Sequence, residues 1–138
     1  MKKINSIYII DDDPITVFGI KKVLSTIVLC DSISTFINGQ LALNEINNIS
    51  ENNKTFPDVI FLDINMPIMD GWQFLDELIK IPLKKKIKIN IVTSSIDPYD
   101  KKKTTSFKKK TQHSIYYINK PIQKTEVEKI TVQTYLKP

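Results

Sequence analysis

Val59-Ile60-Phe61-Leu62-Asp63-Ile64-Asn65-Met66-Pro67-Ile68-Met69-Asp70-Gly71 runs from four apolar residues straight into an aspartate. A strand wetted on one face alternates apolar with polar residues. An unbroken apolar run belongs to a strand covered on both faces, the habit of parallel sheets flanked by helices. Asp63 then stands where burial ends, at the carboxyl end of the strand, and open parallel sheets bind their ligands along that edge. Asn65, Pro67, Asp70 and Gly71 mark a loop leading into a helix. Read alone, Asp63 fits an ordinary strand end as well as a functional one, and the rest of the chain has to separate the two.

Upstream, Ile4 to Ile10 holds the β-rich run Ile7-Tyr8-Ile9-Ile10 and ends in Asp11-Asp12-Asp13-Pro14. Proline after an aspartate cap starts a helix, which accounts for Asp13 but not for Asp11 and Asp12. The first helix spans about Pro14 to Thr26, with Ile15, Phe18, Ile20, Val23, Leu24 and Ile27 at mainly helical spacing. A second strand follows around Val28 to Ser34. After the Asn38-Gly39 turn, Leu41, Ala42, Leu43, Ile46 and Ile49 form a second helical stripe, and Ser50 to Phe56 reads as an exposed loop.

Downstream, a third helix covers about Trp72 to Ile81, capped by Asp70. The fourth strand, Ile87 to Val92, ends in Thr93-Ser94-Ser95, and Asp97-Pro98 opens a Lys-rich fourth helix. That helix has Tyr99 and Phe107 as its main anchors and is expected to be the least stable, because packing supplies most helical stability. Ile115 to Ile118 forms the fifth strand, before Asn119-Lys120-Pro121. A last helix, about Gln123 to Tyr135, presents Val127, Ile130, Val132 and Leu136. Strands alternating with helices predict an α/β fold, a five-stranded doubly wound parallel sheet.

The 138 residues suit a single domain over 1–138, with no linker to a second one. With 41% hydrophobic and 25% charged residues the composition is ordinary for a globular protein. The lone Cys30 rules out an internal disulfide and reads as a small core residue. No signal pattern or membrane-length apolar run is present, so a cytoplasmic location is expected. The net charge of +5 comes with no arginine, and the lysines cluster at 84–88, 101–103 and 108–110. Arginine is the preferred bidentate reader of bases and phosphates, so its absence argues against specific nucleic-acid recognition. His113, the only histidine, reads as a surface loop residue.

Four strand ends thus carry chemistry: Asp11-Asp12, Asp63, Thr93-Ser94 and Lys120. Adjacent acids raise one another's pKa unless a cation sits among them. Three carboxylates suit Mg²⁺, which takes oxygen ligands. An aspartate beside Mg²⁺ and a lysine is a nucleophile suited to phosphorus.

Ile10-Asp11-Asp12-Asp13-Pro14, Phe61 to Pro67 with Asp70-Gly71, Val92-Thr93-Ser94 and Asn119-Lys120-Pro121 together resemble the receiver domain of two-component response regulators. The resemblance covers about residues 5 to 136. Each motif is weak alone; four in order, each after the appropriate strand, are specific. The resemblance implies a flavodoxin-like (βα)5 fold with strand order 2-1-3-4-5. It implies Asp63 as phosphoacceptor from a histidine kinase or phosphotransfer protein. Asp12 and Asp63 would be direct Mg²⁺ ligands, with Asp11 acting through water and Asn65 through its backbone carbonyl. Thr93 would be the switch hydroxyl, Ser94 the small residue leaving room for the phosphoryl group, Lys120 its cationic partner and Tyr117 the switch aromatic. Pro121 would follow a cis peptide. With no effector domain after Leu136, output would pass to a downstream protein through the fourth helix, fifth strand and fifth helix.

Two other readings stay open. A phosphatase using the same pocket needs an acid two residues after the nucleophile, where this chain has Asn65. A basic scaffold would bind acidic partners whatever its phosphorylation state, through the lysines of 101–110.

Overall fold

The computed structural model describes residues 2–52 and 54–131. Along them run β1 (Lys2–Ile10), α1 (Pro14–Ile27), β2 (Val28–Phe36), α2 (Gly39–Glu51), β3 (Val59–Leu62), α3 (Gly71–Lys80), β4 (Lys88–Thr93), α4 (Pro98–Lys110), β5 (Ser114–Asn119) and α5 (Lys124–Thr131). The strands form one sheet in the order β2-β1-β3-β4-β5. Every neighbouring pair is parallel, so all carboxyl ends share one edge. From β1 the chain goes outward to β2, then returns to the other side of β1 as β3. That reversal opens a crevice at the ends of the two central strands, where such sheets bind ligands. The register sets Ile10 opposite Leu62 and Leu62 opposite Ile91, so Asp11 and Asp63 emerge side by side.

Side-chain alternation splits the core into two layers. Ile89 and Ile91 point into a cluster shared with Ile46, Leu75 and Phe107, which puts α2, α3 and α4 on one face. Val92 and Ile118 pack with Leu24 and Val127, which puts α1 and α5 on the other. Each helix entry has its cap. Asp13, Asn38 and Asp97 accept backbone N–H groups of the first turns of α1, α2 and α4. Asp70 and Gln73 form a reciprocal capping box at α3.

A fully buried large apolar side chain contributes about 1.5–3 kcal/mol. Trp72, Phe74, Leu75 and Leu78 are buried on α3, whereas α4 buries only Thr104 and Phe107. Phe107 stacks on Trp72 with ring centroids 5.7 Å apart. Tyr99, an expected anchor, is 59% exposed, and Thr104 takes its place with its hydroxyl donating to the Asp100 carbonyl. Ile15 and Phe18 of the expected α1 stripe are also exposed: they lie in the first turns of the helix, beside the clefts that Lys120 and Asp12 line at the carboxyl edge of the sheet. Cys30 lies half-buried on the edge strand β2, where burial raises its thiol pKa. His113 is no free loop residue: its Nδ1 accepts the Ile87 N–H at 3.0 Å, and burial lowers its pKa. The expected positions Val132, Tyr135 and Leu136 lie outside the described residues.

Two polar side chains in the sheet stand out. Asp58 closes its amino-terminal edge, accepting the N–H groups of Asn5 and Ser6 and pairing with Lys85. Asn90 is fully buried on β4, on the side of Val92, and neither amide atom has a hydrogen-bond partner. An unsatisfied buried amide costs about 1–3 kcal/mol. The Asn90→Leu protein should therefore be more stable by about 1 kcal/mol, the gain being reduced by the change of shape. Urea denaturation of the two proteins checks this, and a loss of stability would contradict it.

Candidate functional site

Asp11, Asp12 and Asp63 come together at the crevice, with one carboxylate oxygen from each lying within 4.8 Å of the others. Backbone hydrogen bonds hold the two strand ends in place: Asp63 N–H donates to the Ile10 carbonyl and Asp11 N–H to the Phe36 carbonyl, both at 2.9 Å. Asp11 and Asp63 are buried and Asp12 is exposed. Lys120 reaches in from the end of β5, its Nζ 3.4 Å from Asp11 Oδ2 and 3.8 Å from Asp63 Oδ1. The Lys120–Pro121 peptide is cis.

The electrostatics of the trio follow from burial. Desolvation, reinforced by the charge of Asp11, pushes the Asp63 carboxyl up to about 6 against the pull of Lys120. Desolvation also raises Asp11, opposed by the Asp13 N–H that donates to its Oδ1 and by Lys120. Asp11 Oδ2 is buried and makes no hydrogen bond. That oxygen has only the Lys120 ammonium of the ion pair near it, and three carboxylates gathered at one crevice are a donor set matched to a hard divalent cation.

Thr93 is fully buried at the end of β4, and its hydroxyl oxygen accepts the Ser95 N–H at 3.1 Å. Ser94 is exposed beside it, and Asn65 is exposed two residues past Asp63. Tyr117 is not drawn into the acidic trio. It lies half-buried on β5, and its hydroxyl donates to the Ser95 carbonyl at 3.2 Å. The same carbonyl accepts from Asn119 Nδ2 at 2.9 Å, and the Ser95 hydroxyl donates to the Asp100 carboxylate on α4. Ser95 thus ties the end of β4, the tyrosine of β5 and the first turn of α4 together. No local signal marks it among the serines and threonines of residues 93–95.

Gly71, part of the Asp70-Gly71 pair in the sequence motif, is held against the backbone of Asp63 and Ile64. Its N–H donates to the Ile64 carbonyl at 2.8 Å, and a Cβ there would run into the Asp63 carbonyl oxygen and lie 2.9 Å from Ile64 Cα. Between them the loop turns tightly at Ile68, whose φ is 69°, with Met69 N–H donating to the Pro67 carbonyl.

A family model described as the response regulator receiver domain matches residues 7–131. The chain is 30% identical over 118 residues to an uncharacterized response regulatory protein of Vibrio cholerae, covering 85% of this chain and 40% of that protein. It spans less than half the length of the curated relatives it matches. A crystal structure of a two-component response regulator from Cytophaga hutchinsonii superposes with a TM-score of 0.79 at 26% identity, covering 99% of this chain and all of that one. The Mn²⁺-bound form of response regulator Rcp1 shares the fold with a TM-score of 0.74 at 20% identity, over 92% of this chain and 95% of that one.

Proposed function

The chain belongs to the response regulator receiver domain family, and from that premise we propose that it accepts a phosphoryl group on Asp63 from a histidine kinase or histidine phosphotransfer protein. The observation that carries the proposal is the convergence of three carboxylates and one lysine at the crevice between β1 and β3. Asp11, Asp12 and Asp63, with the Asn65 backbone carbonyl, would hold a Mg²⁺, which when bound offsets the negative charge of the phosphoryl donor. A divalent cation in the related Rcp1 fold agrees with that choice.

In this reading an Asp63 carboxylate oxygen attacks phosphorus. The bond from phosphorus to the donor breaks, and the donor leaves with its electron pair. Lys120 supplies positive charge to the phosphoryl oxygens. Thr93, freed from the Ser95 N–H, would give its hydroxyl to them, while Ser94 leaves room. Loss of the Thr93 contact would then be felt at Tyr117, which shares Ser95 with it. Modification shifts a population between two arrangements of this network. Receivers act in signalling, and a partner reads the resulting surface on α4, β5 and α5. The exposed Ile15, Phe18, Ile37, Ile68 and Ile96 flank the same edge of the sheet, an apolar margin on which a donor protein can dock.

Incubation with acetyl phosphate and Mg²⁺ should add the mass of one phosphoryl group in intact mass spectrometry. An unchanged mass with this donor and with phosphorylated kinases of the same cell would defeat the proposal. Protons also compete with the metal for Asp63. Because its carboxyl sits at about 6, affinity for Mg²⁺ should weaken steadily as the pH falls through that value. Calorimetric titration at several pH values checks this, and affinity unchanged between pH 7.5 and 5 would contradict it.

A further inference from the structure

Helix α4 carries six of the chain's lysines, and among the described residues none of the six takes part in an ion pair. They fall into three pairs seven residues apart: 101 with 108, 102 with 109, and 103 with 110. Seven residues are about two helical turns, so each pair lies along one line some 10 Å apart. The three lines do different work. Lys103 is half-buried, with its ammonium 5.5 Å from the Trp72 ring centre and 5.6 Å from that of Tyr99. Lys110 stands 5.3 Å from the Phe107 ring centre. This line is engaged with aromatic faces and helps hold a helix that has few apolar anchors.

Lys101 and Lys108 instead rim a cleft of about 300 Å³ between α4 and β5, whose walls include Thr105, Tyr117, Asn119 and Glu126. Lys102 and Lys109 continue the exposed surface. The cleft offers ammonium, hydroxyl and amide groups against one carboxylate, and it adjoins the tyrosine bonded to Ser95.

We propose that the α4 face is a docking surface for an acidic helical segment of another protein, with one carboxylate entering the cleft between Lys101 and Lys108. The lysine spacing matches carboxylates repeated every two turns of a partner helix. The chain contains no arginine to read bases or phosphates bidentately, which favours carboxylates over nucleic acid. The outer face of α4 carries no exposed large apolar residue beyond Tyr99 in its first turn, which leaves nothing to insert into a lipid surface. Two copies of this face would repel each other. This face is part of the partner surface named under the proposed function, and docking on the unmodified chain and on its Asp63→Asn form tests it apart from the phosphoacceptor reading.

The test uses the full chain and its Asp63→Asn form, with fluorescein-labelled helical peptides read by anisotropy. One peptide carries glutamates along one face and the control carries glutamines. The glutamate peptide should bind both proteins at least about tenfold more tightly than the control, and the advantage should shrink in high salt. Lys101→Gln with Lys108→Gln should remove most of it. Lys103→Gln should leave the affinity within about twofold and lower the unfolding temperature instead, because its ammonium is engaged with the rings. Equal binding of the two peptides, an undiminished affinity in the double variant, or tighter binding of a DNA oligonucleotide or anionic vesicles would overturn the proposal.

Discussion

Asp63→Asn should make the protein more stable at neutral pH while abolishing phosphoryl uptake. The wild-type carboxyl sits at about 6 against an ordinary value of 3.8, because burial and Asp11 disfavour its charge more than Lys120 favours it. The folded state therefore binds a proton more tightly than the unfolded chain. Stability falls as the pH rises from the unfolded value through about 6, and above that the full cost of holding the carboxylate is present. Each pKa unit corresponds to about 1.4 kcal/mol, and partial solvent access reduces the sum to on the order of 2 kcal/mol. An amide keeps the shape and removes the charge. Urea denaturation in EDTA should show the asparagine protein ahead by that margin at pH 7.5 and level with wild type near pH 4. A wild-type advantage at pH 7.5 would mean that the ion pair with Lys120 outweighs the desolvation. The same variant should gain no phosphoryl mass from acetyl phosphate, since an amide oxygen is no nucleophile towards phosphorus.

Gly71→Ala should cost about 3 kcal/mol and impair phosphoryl uptake as well. The added methyl group meets backbone atoms of Asp63 and Ile64 rather than a side chain that can swing aside. Overpacking of this kind costs about 1–3 kcal/mol, towards the upper end where backbone must move. The atoms that must move belong to Asp63, the proposed phosphoacceptor, so phosphoryl uptake should fall further than stability alone explains. Gly19→Ala is the internal contrast. A Cβ at Gly19 meets nothing within 4 Å, and the residue lies inside α1. That substitution should stabilise by about 0.5–1 kcal/mol through helix propensity. Thermal unfolding and phosphoryl uptake of both variants check the pair, and similar behaviour of the two would contradict it.

The polar character of the α4 surface was written in its composition, but the division of labour among its lysines was not. A lysine over an aromatic ring and a lysine facing a cleft are identical in sequence. They differ only because Trp72 of α3 lies beneath Lys103 and β5 lies beside Lys101. The exposure of Ile15, Phe18 and Tyr99 was likewise illegible, because helical spacing names a stripe without saying how far round the helix its neighbour reaches. His113 and Asn90 show the same limit for polar groups. One found a backbone N–H 26 residues away, and the other was buried without a partner.

By itself the sequence determined the alternation of strands and helices, the caps at Asp13, Asp70 and Asp97, and the placing of Asp11, Asp12, Asp63, Thr93 and Lys120 at strand ends. These are local matters: period, cap chemistry and the point where an apolar run stops. Only the tertiary structure decided the raised pKa of Asp63, the close approach of Gly71 to its backbone and the bonding of Thr93, Tyr117, Asn119 and Asp100 to Ser95. Tyr117 and Asn119 reach Ser95 from more than twenty residues away because β4 and β5 pair in parallel. The Gly71, Thr93 and Asp100 contacts are close in sequence but depend on the exact path of a loop, which no local pattern prints. Desolvation at a site is a property of everything packed around it.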